Sequence, residues 1–471
     1  MFNEISGMKK RSLLIDLAAT TLCLSISLFC LINCGDNYFL MFLHPLLFLV
    51  FYYVTYRSIF FSRRSVFKFA LGIAVFVRYV IMPLLVGVVG YSTWCQNIPS
   101  SSDYLVAQLL MIGEILMITL VFSISGRREK VPDEKKVIID NRPDFIIIVF
   151  TILSFILFFA LKNKYGINLH IITPNDDTLL INESSIKQIL IMLFNIGKTF
   201  LFLFVLKKVC AKEKKTVFDI LLVVLFGAFN VLVYTGTNRM QFIISFLCSV
   251  YLIVAVFPKL KRKMLIITLL SLVMIIPAIS SFRKSELLTV DSTVNNYSQL
   301  ANAYLGGVDN VAISVETSRE FPQYRRFDNF LYDMFRGVLG LNMFLKGENN
   351  SNLMSSELYN YVYFGHKDNA SQIIPVVGQG YYYFGIMGFW LIEFVFLVLG
   401  IKLEGIFKRT TNIYYKYTIL LILLRFSIMQ GLSGTILAHS ISFDCFVPWA
   451  IIVLNDVFTN KKRIGYEKEH C

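Results

Sequence analysis

The chain reads as an all-α integral membrane protein with about twelve transmembrane helices and one large outward-facing loop between the ninth and the tenth. Three observations lead there. Of its 471 residues 56% are hydrophobic, a share that excludes a soluble domain of this length. The apolar residues gather in long runs, and a hydrocarbon core about 30 Å thick takes about 20 such residues per helix. A hydrophilic stretch of 98 residues, Phe282 to Gln379, interrupts the runs late in the chain. Helices follow because lipid offers no partner to free backbone N–H and C=O groups, and the runs lack the alternation of a transmembrane barrel.

The first run, 13–33, carries the basic flank Lys9, Lys10 and Arg11 but no small-residue cleavage site, so it is read as a retained anchor. Runs 38–60 and 66–91 are joined by a short connection rich in arginine, and run 104–124 ends at six basic residues between Arg127 and Arg142. Run 143–161 leads into a moderate outer loop, Lys162 to Ile186, with the turn-rich segment Thr173-Pro174-Asn175-Asp176-Asp177. Runs 187–209 and 216–235 flank a lysine-rich connection, and run 240–257 follows the very tight turn Tyr234–Arg239. Run 263–281 closes the first nine; runs 380–401, 413–431 and 436–456 follow the long loop. The resulting division is a nine-helix membrane region (1–281), the loop (282–379), and a three-helix region with a cytoplasmic tail (380–471).

The net charge of +14 invites a nucleic-acid reading, but its distribution excludes nucleic acid as a partner. With the N-terminus in the cytoplasm, thirty of the 45 Lys and Arg fall in alternate, cytoplasmic segments. That is the positive-inside pattern; it places both termini in the cytoplasm, the long loop outside, and membrane lipid around the chain.

None of the eight cysteines lies in the long loop, although Cys34 and Cys95 both fall in expected outer loops. Metal-ligand spacings, a Walker A loop, a dinucleotide fingerprint and an Asp-x-Asp pair are all missing, so the reading assigns no metal and no cofactor. A glycosyl donor used outside would have to arrive pre-activated and lipid-linked. The loop holds ten acidic and eight basic residues among many tyrosines, which suits sugar recognition or an interfacial aromatic belt. Within it, Tyr297–Glu320 and Arg326–Leu345 have the mixed spacing of amphipathic helices, and Lys346–Ser356 reads as a turn.

Candidate chemistry gathers at three places. In the turn Tyr234–Arg239, Thr237 or Asn238 can cap the eighth helix, whose N-terminus with Arg239 favours a phosphate; the alternative is an arginine snorkelling to headgroups. Arg283 with Lys284 leaves the ninth run, and Arg319, Arg325, Arg326 and Arg336 follow in the loop, a set suited to clamping a diphosphate leaving group. The general-base candidates are His366, the loop's only histidine, Glu316 and Asp333, with Glu320 and Asp309 behind them. Inside the runs sit Arg78, Glu114, Lys198, Glu393, Arg425 and Asp444, three basic and three acidic. An intramembrane charge marks either a functional site or an ion-pair network; Arg78 and Glu114 fall at similar depth on adjacent helices and are the pair expected to meet.

The run Asn369-Ala370-Ser371-Gln372-Ile373-Ile374-Pro375, followed by Gly378-Gln379-Gly380-Tyr381-Tyr382-Tyr383-Phe384-Gly385-Ile386-Met387-Gly388, resembles the loop-to-helix junction of bacterial O-antigen and capsule repeat-unit polymerases of the Wzy type. The layout, with one large outer loop late among a dozen spans, is similar too, as is the Gly-x-x-Arg hairpin from Gly236 to Arg239. The Arg-x10-Gly spacing of some of these polymerases recurs at Arg326 with Gly337 and Arg336 with Gly347. The resemblance implies a metal-independent glycosyl transfer at the outer face of the bacterial cytoplasmic (inner) membrane. A growing glycan would pass from undecaprenyl diphosphate to the next lipid-linked oligosaccharide unit, building O-antigen of lipopolysaccharide, capsule or another exopolysaccharide. It also implies a flippase and a chain-length regulator as partners in the pathway. Gly378 and Gly380 read as a place where backbone approaches a ligand closely, or as a hinge before the tenth helix. An O-antigen ligase acting on a lipid A core, or a transporter of lipid-linked oligosaccharides, is the competing reading; against transport, no two similar halves are visible.

Overall fold

The computed structural model describes residues 2–62, 65–89, 97–128, 143–167, 169–171, 185–234, 239–260, 302, 305–335, 345, 353–365, 372–441 and 445–469. They are largely helical. In chain order the helices are α1 (Phe2–Asn33), α2 (Leu43–Phe51), α3 (Arg57–Ser62), α4 (Val66–Phe76), α5 (Met82–Val89), α6 (Ser101–Arg128), α7 (Phe145–Leu161), α8 (Ser185–Cys210), α9 (Val217–Leu232) and α10 (Arg239–Val256). After the long loop begins come α11 (Val308–Glu320), α12 (Phe327–Phe335), α13 (Ser355–Phe364), α14 (Val376–Gly388), α15 (Leu391–Arg409), α16 (Ile413–Phe426), α17 (Gly434–Ile441) and α18 (Val447–Glu469). One antiparallel contact of two residues a side, β1 (His170–Ile171) on β2 (Val233–Tyr234), is the extended structure among the described residues.

Among the described residues five stretches are long and apolar enough to cross a membrane: Ser12–Asn33, Asp36–Ser62, Val66–Val89, Ser101–Ser125 and Ile189–Cys210. A sixth is the bent pair α14 and α15, and four shorter apolar helices coincide with expected runs, in α7, α9, α10 and α18. The chain is therefore a multi-pass membrane protein by length and composition. Leu13, Ile32, Leu120, Ile156, Phe218 and Leu225 project outward from α1, α6, α7 and α9, as lipid-facing side chains do. The expected ninth run, 263–281, lies outside the described residues.

The run expected at 380–401 differs. It is not one helix: α14 and α15 meet at 108°. Gly385 takes φ +65° and ψ −163° inside α14, a conformation that L side chains avoid. The Phe389 ring just beyond lies over Gly113 of α6, where a Cβ would come within 2.5 Å of it, and the Phe389 carbonyl fills the space that a Cβ on Gly380 would take. In the last run α17 ends at Ile441 and α18 starts at Val447, and residues 442–444 lie outside the described residues.

The chain folds as two compact units. The first comprises 1–131, 287–405 and 423–439, so it takes in most of the long loop together with α1 to α6. Within it α1 packs on α2 and α5, while α11 lies against α6, α14 and α13. The reading of 297–320 as an amphipathic helix needs correction here, because every residue of α11 from Val308 to Ser318 is buried. Partners for four of its polar residues offset the burial. Ser314 and Thr317 donate back to the Asn310 and Ile313 carbonyls at 2.8 and 2.7 Å, Asn310 donates to the Asn302 carbonyl at 3.0 Å, and Tyr38 donates to Asp309 at 2.6 Å.

The second unit comprises 132–286, 406–422 and 440–471. Here α8 lies between α7 and α9, α10 packs on α9, and α18 on α7. Phe158 and Phe194 stack at 4.1 Å between α7 and α8. α9 starts at a capping box, with the Thr216 hydroxyl on the Asp219 N–H and the Asp219 carboxylate on the Thr216 N–H.

Candidate functional site

In the first unit the loop helices are fastened by a buried carboxylate. Asp333, near the end of α12, is fully buried. Its Oδ2 accepts from the Ser355 hydroxyl at 2.5 Å, the Ser355 N–H at 3.3 Å, Gln379 Nε2 at 2.8 Å and the Tyr383 hydroxyl at 3.0 Å; Oδ1 accepts from Thr435 at 3.1 Å. Ser355 opens α13, so the charge also lies at that helix's positive end. Gln379 completes the knot, with its Oε1 accepting from the Gly434 N–H at 2.6 Å. Asp333 thus joins α12, α13, α14 and α17. Both of its oxygens are turned to protein donors and none to an open space, so its place is that of an organiser.

Glu316 is in a different situation. It lies on the last turns of α11, where Oε2 is buried without a hydrogen-bond partner. Burial, with the Glu320 and Asp103 carboxylates nearby and only Arg319 opposing, pushes its carboxyl up to about 7. A carboxyl that titrates near neutrality suits a group that must both take and give a proton.

The loop arginines separate by partner. Arg319 is held at 2.9 Å by Asp103, which also accepts from the Ser100 N–H at 3.0 Å at the start of α6, and lies 3.8 Å from Glu316. Arg326 pairs with Asp328 at 3.0 Å in the open. Arg325 is exposed and has no carboxylate within ion-pair distance among the described residues. Its guanidinium lies 3.5 Å from where a side chain at Gly385 would begin, beside the irregular turn of α14, and its charge reaches Tyr382. Tyr382 in turn donates to the Phe321 carbonyl at 3.1 Å, tying the end of α11 to α14. Arg283, Arg336 and His366 lie outside the described residues. Arg239 is the first described residue of α10, and its side chain and the turn residues 235–238 lie outside the described residues.

Gly378 and Gly380 do permit close approach, and the groups approached belong to the protein: Ser314 of α11 at Gly378, and the Phe389 carbonyl at Gly380. The backbone irregularity lies at Gly385, so the hinge alternative shifts by five residues from Gly380.

The charges inside the apolar runs also separate. Arg78 and Glu114 meet at 2.8 Å with both side chains fully buried. The guanidinium lies beside the carboxylate without pointing an N–H along it, while Nη1 donates to the Leu305 and Gln430 carbonyls at 2.6 and 2.8 Å. Tyr79 brings its hydroxyl to 2.6 Å from Glu114 Oε2. Arg78 and Tyr79 stand in the π-helical segment Val77–Ile81, a widened turn of the kind that recurs at functional sites. Glu393, in the first turn of α15, faces Glu114 and is fully buried. Arg425 is buried and partnered; Asp444 lies outside the described residues.

In the second unit Lys198 has no carboxylate partner among the described residues. Its ammonium donates to the Asn230 carbonyl at 3.2 Å and to the Val233 carbonyl, which are free because α9 ends there. A buried lysine closing a helix C-terminus is a structural cap, and the network expected from the balance of signs does not extend to it. No signal in the sequence distinguishes this lysine from Arg78. The Asp333 knot was only partly legible: a loop Asp was singled out, but its partners lie up to 102 residues away.

Among the described residues no three His, Cys, Asp or Glu side chains converge as metal ligands. The chain matches no family model, no curated protein and no solved structure.

Proposed function

We propose that the protein is a polymerase that joins lipid-diphosphate-linked oligosaccharide units at the outer face of a bacterial cytoplasmic membrane. The observation that carries the proposal is Glu316: a buried carboxyl titrating near neutrality on the loop helix α11, which packs against α14, the helix that carries the polymerase-like motif. Glu316 would accept the proton of the acceptor hydroxyl as its oxygen attacks the anomeric carbon. The lipid diphosphate departs with the bonding pair, and Arg325 is the described cation free to meet it. Arg239, Arg283 and Arg336 remain candidates for the same task, and His366 for the base. Asp333 is a positioning residue, holding the motif helix to the loop helices. Undecaprenyl diphosphate as carrier, and a flippase and length regulator as partners, follow from the resemblance.

The test is incubation of purified protein with its undecaprenyl-diphosphate-linked unit, EDTA and no nucleotide, read as glycan length on a gel. A ladder of multiples supports the proposal. A single unit that is transferred only when lipid A core is added makes the protein a ligase. The buried group of Arg78, Glu114 and Glu393 is what favours a transporter, and folded protein that makes no product with either acceptor would support that reading.

A further inference from the structure

Arg78, Tyr79, Glu114 and Glu393 bring two carboxyls and one guanidinium into a fully buried cluster of the first unit. The groups facing Glu393 are Glu114 from α6, and Arg78 and Tyr79 from the π-helical segment. Behind them the His44 ring of α2 packs edge-on to Tyr79 at 5.4 Å. Arg78 and the Tyr79 hydroxyl both converge on Oε2 of Glu114, which leaves Glu114 Oε1 and both oxygens of Glu393 buried without hydrogen-bond partners. Arg78 is the one cation that acts on both Glu114 and Glu393 among the described residues, and its Nη1 is committed to the Leu305 and Gln430 carbonyls, so a single positive charge serves two carboxyls. Two facing carboxylates in a dehydrated site do not both ionise. The positive end of α15 favours an anion at its first turn, but weakly beside an uncompensated buried charge.

We propose that Glu393 and Glu114 form a binding site for one proton, held between Glu393 and the free oxygen of Glu114. The proton is the missing counter-charge: with it the cluster is neutral, and Glu393 gains a donor for an oxygen that otherwise has none. The site stands four residues beyond Phe389, whose ring fills the space at Gly113 next to Glu114, so its occupancy acts where α14 turns into α15. This inference rests on the ion cluster alone and is independent of the polymerase proposal.

The test is infrared spectroscopy of the purified full-length protein in detergent at about pH 9, above the range in which Glu316 titrates. The wild type is expected to show the carbonyl stretch of a protonated carboxyl, and Glu393→Gln to lose it while keeping the wild-type melting temperature. A Glu316→Gln protein is expected to keep the band. Absence of the band from the wild type at this pH overturns the proposal without any variant. So does its persistence in folded Glu393→Gln, or its disappearance when sodium chloride replaces choline chloride, which would make the occupant a metal cation.

Discussion

Arg78 does three jobs with one guanidinium: it neutralises Glu114, and it ties the Leu305 and Gln430 carbonyls to the same point. Removing one partner of a buried pair strands the other charge, so Arg78→Met is expected to destabilise the protein by about 3–5 kcal/mol, read as a lowered melting temperature in detergent. Glu316 gives a prediction with a sign. Its carboxyl titrates at about 7 in the folded chain against 4.5 ordinarily, so the folded state holds an extra proton between these values. Stability from this group is full below about 4.5 and falls as pH rises through about 7. Glu316→Gln is expected to flatten that part of the melting-temperature profile. In the polymerase assay the same substitution should cost about 10²–10⁴-fold in rate and remove the rise of kcat/KM near neutrality. Arg325→Ala should lower the rate where Arg326→Ala, whose charge already faces Asp328, does not. The sequence offers the loop arginines as equals; the positions of Asp103 and Asp328 divide the three described ones, Arg319, Arg325 and Arg326, and Asp103 is 216 residues from Arg319.

At the scale of elements, the short link into α11 depends on Gly306. It has φ +59°, and an added Cβ would lie 2.5 Å from the Gln430 carbonyl and 2.9 Å from Pro375. Gly306→Ala is therefore expected to cost about 1–3 kcal/mol, whereas Gly405→Ala, with nothing within 4 Å of the added carbon, serves as a neutral or stabilising control. Apolar runs were the legible part of the fold, because a span must be both long and apolar, and 13–33, 66–91 and 104–124 recur as helices within a few residues. α11 was legible as a helix but not as a buried one. Its Asp, Asn, Ser and Thr lower any local hydropathy average, and the bonds that satisfy them, such as Tyr38 to Asp309 across 271 residues, leave no local trace. The bend of α14 against α15 was hidden for a related reason. Gly385 sits in an apolar run of normal length, and what commits it to a turn is the seat for Phe389 on a distant helix.

For the molecule as a whole, much of the loop belongs to a helical unit instead of standing apart from it. Cysteine labelling separates the two arrangements. Ser314→Cys, on the buried α11, is expected to resist a membrane-impermeant maleimide until the protein is unfolded, and Arg325→Cys to react in intact cells whose outer face is exposed. Each unit is assembled from three separated stretches of chain, so neither is complete until the last helices have been made. That gives the Arg78 bonds a timetable. Gln430 follows Arg78 by 352 residues, a wait of roughly 20–70 s at ordinary rates of synthesis, about 5–20 residues per second. Glu114 follows within roughly 2–7 s on the same clock. The ion pair is thus available while the carbonyls that will finish the job are still untranslated message, and it can escort a buried charge through that interval.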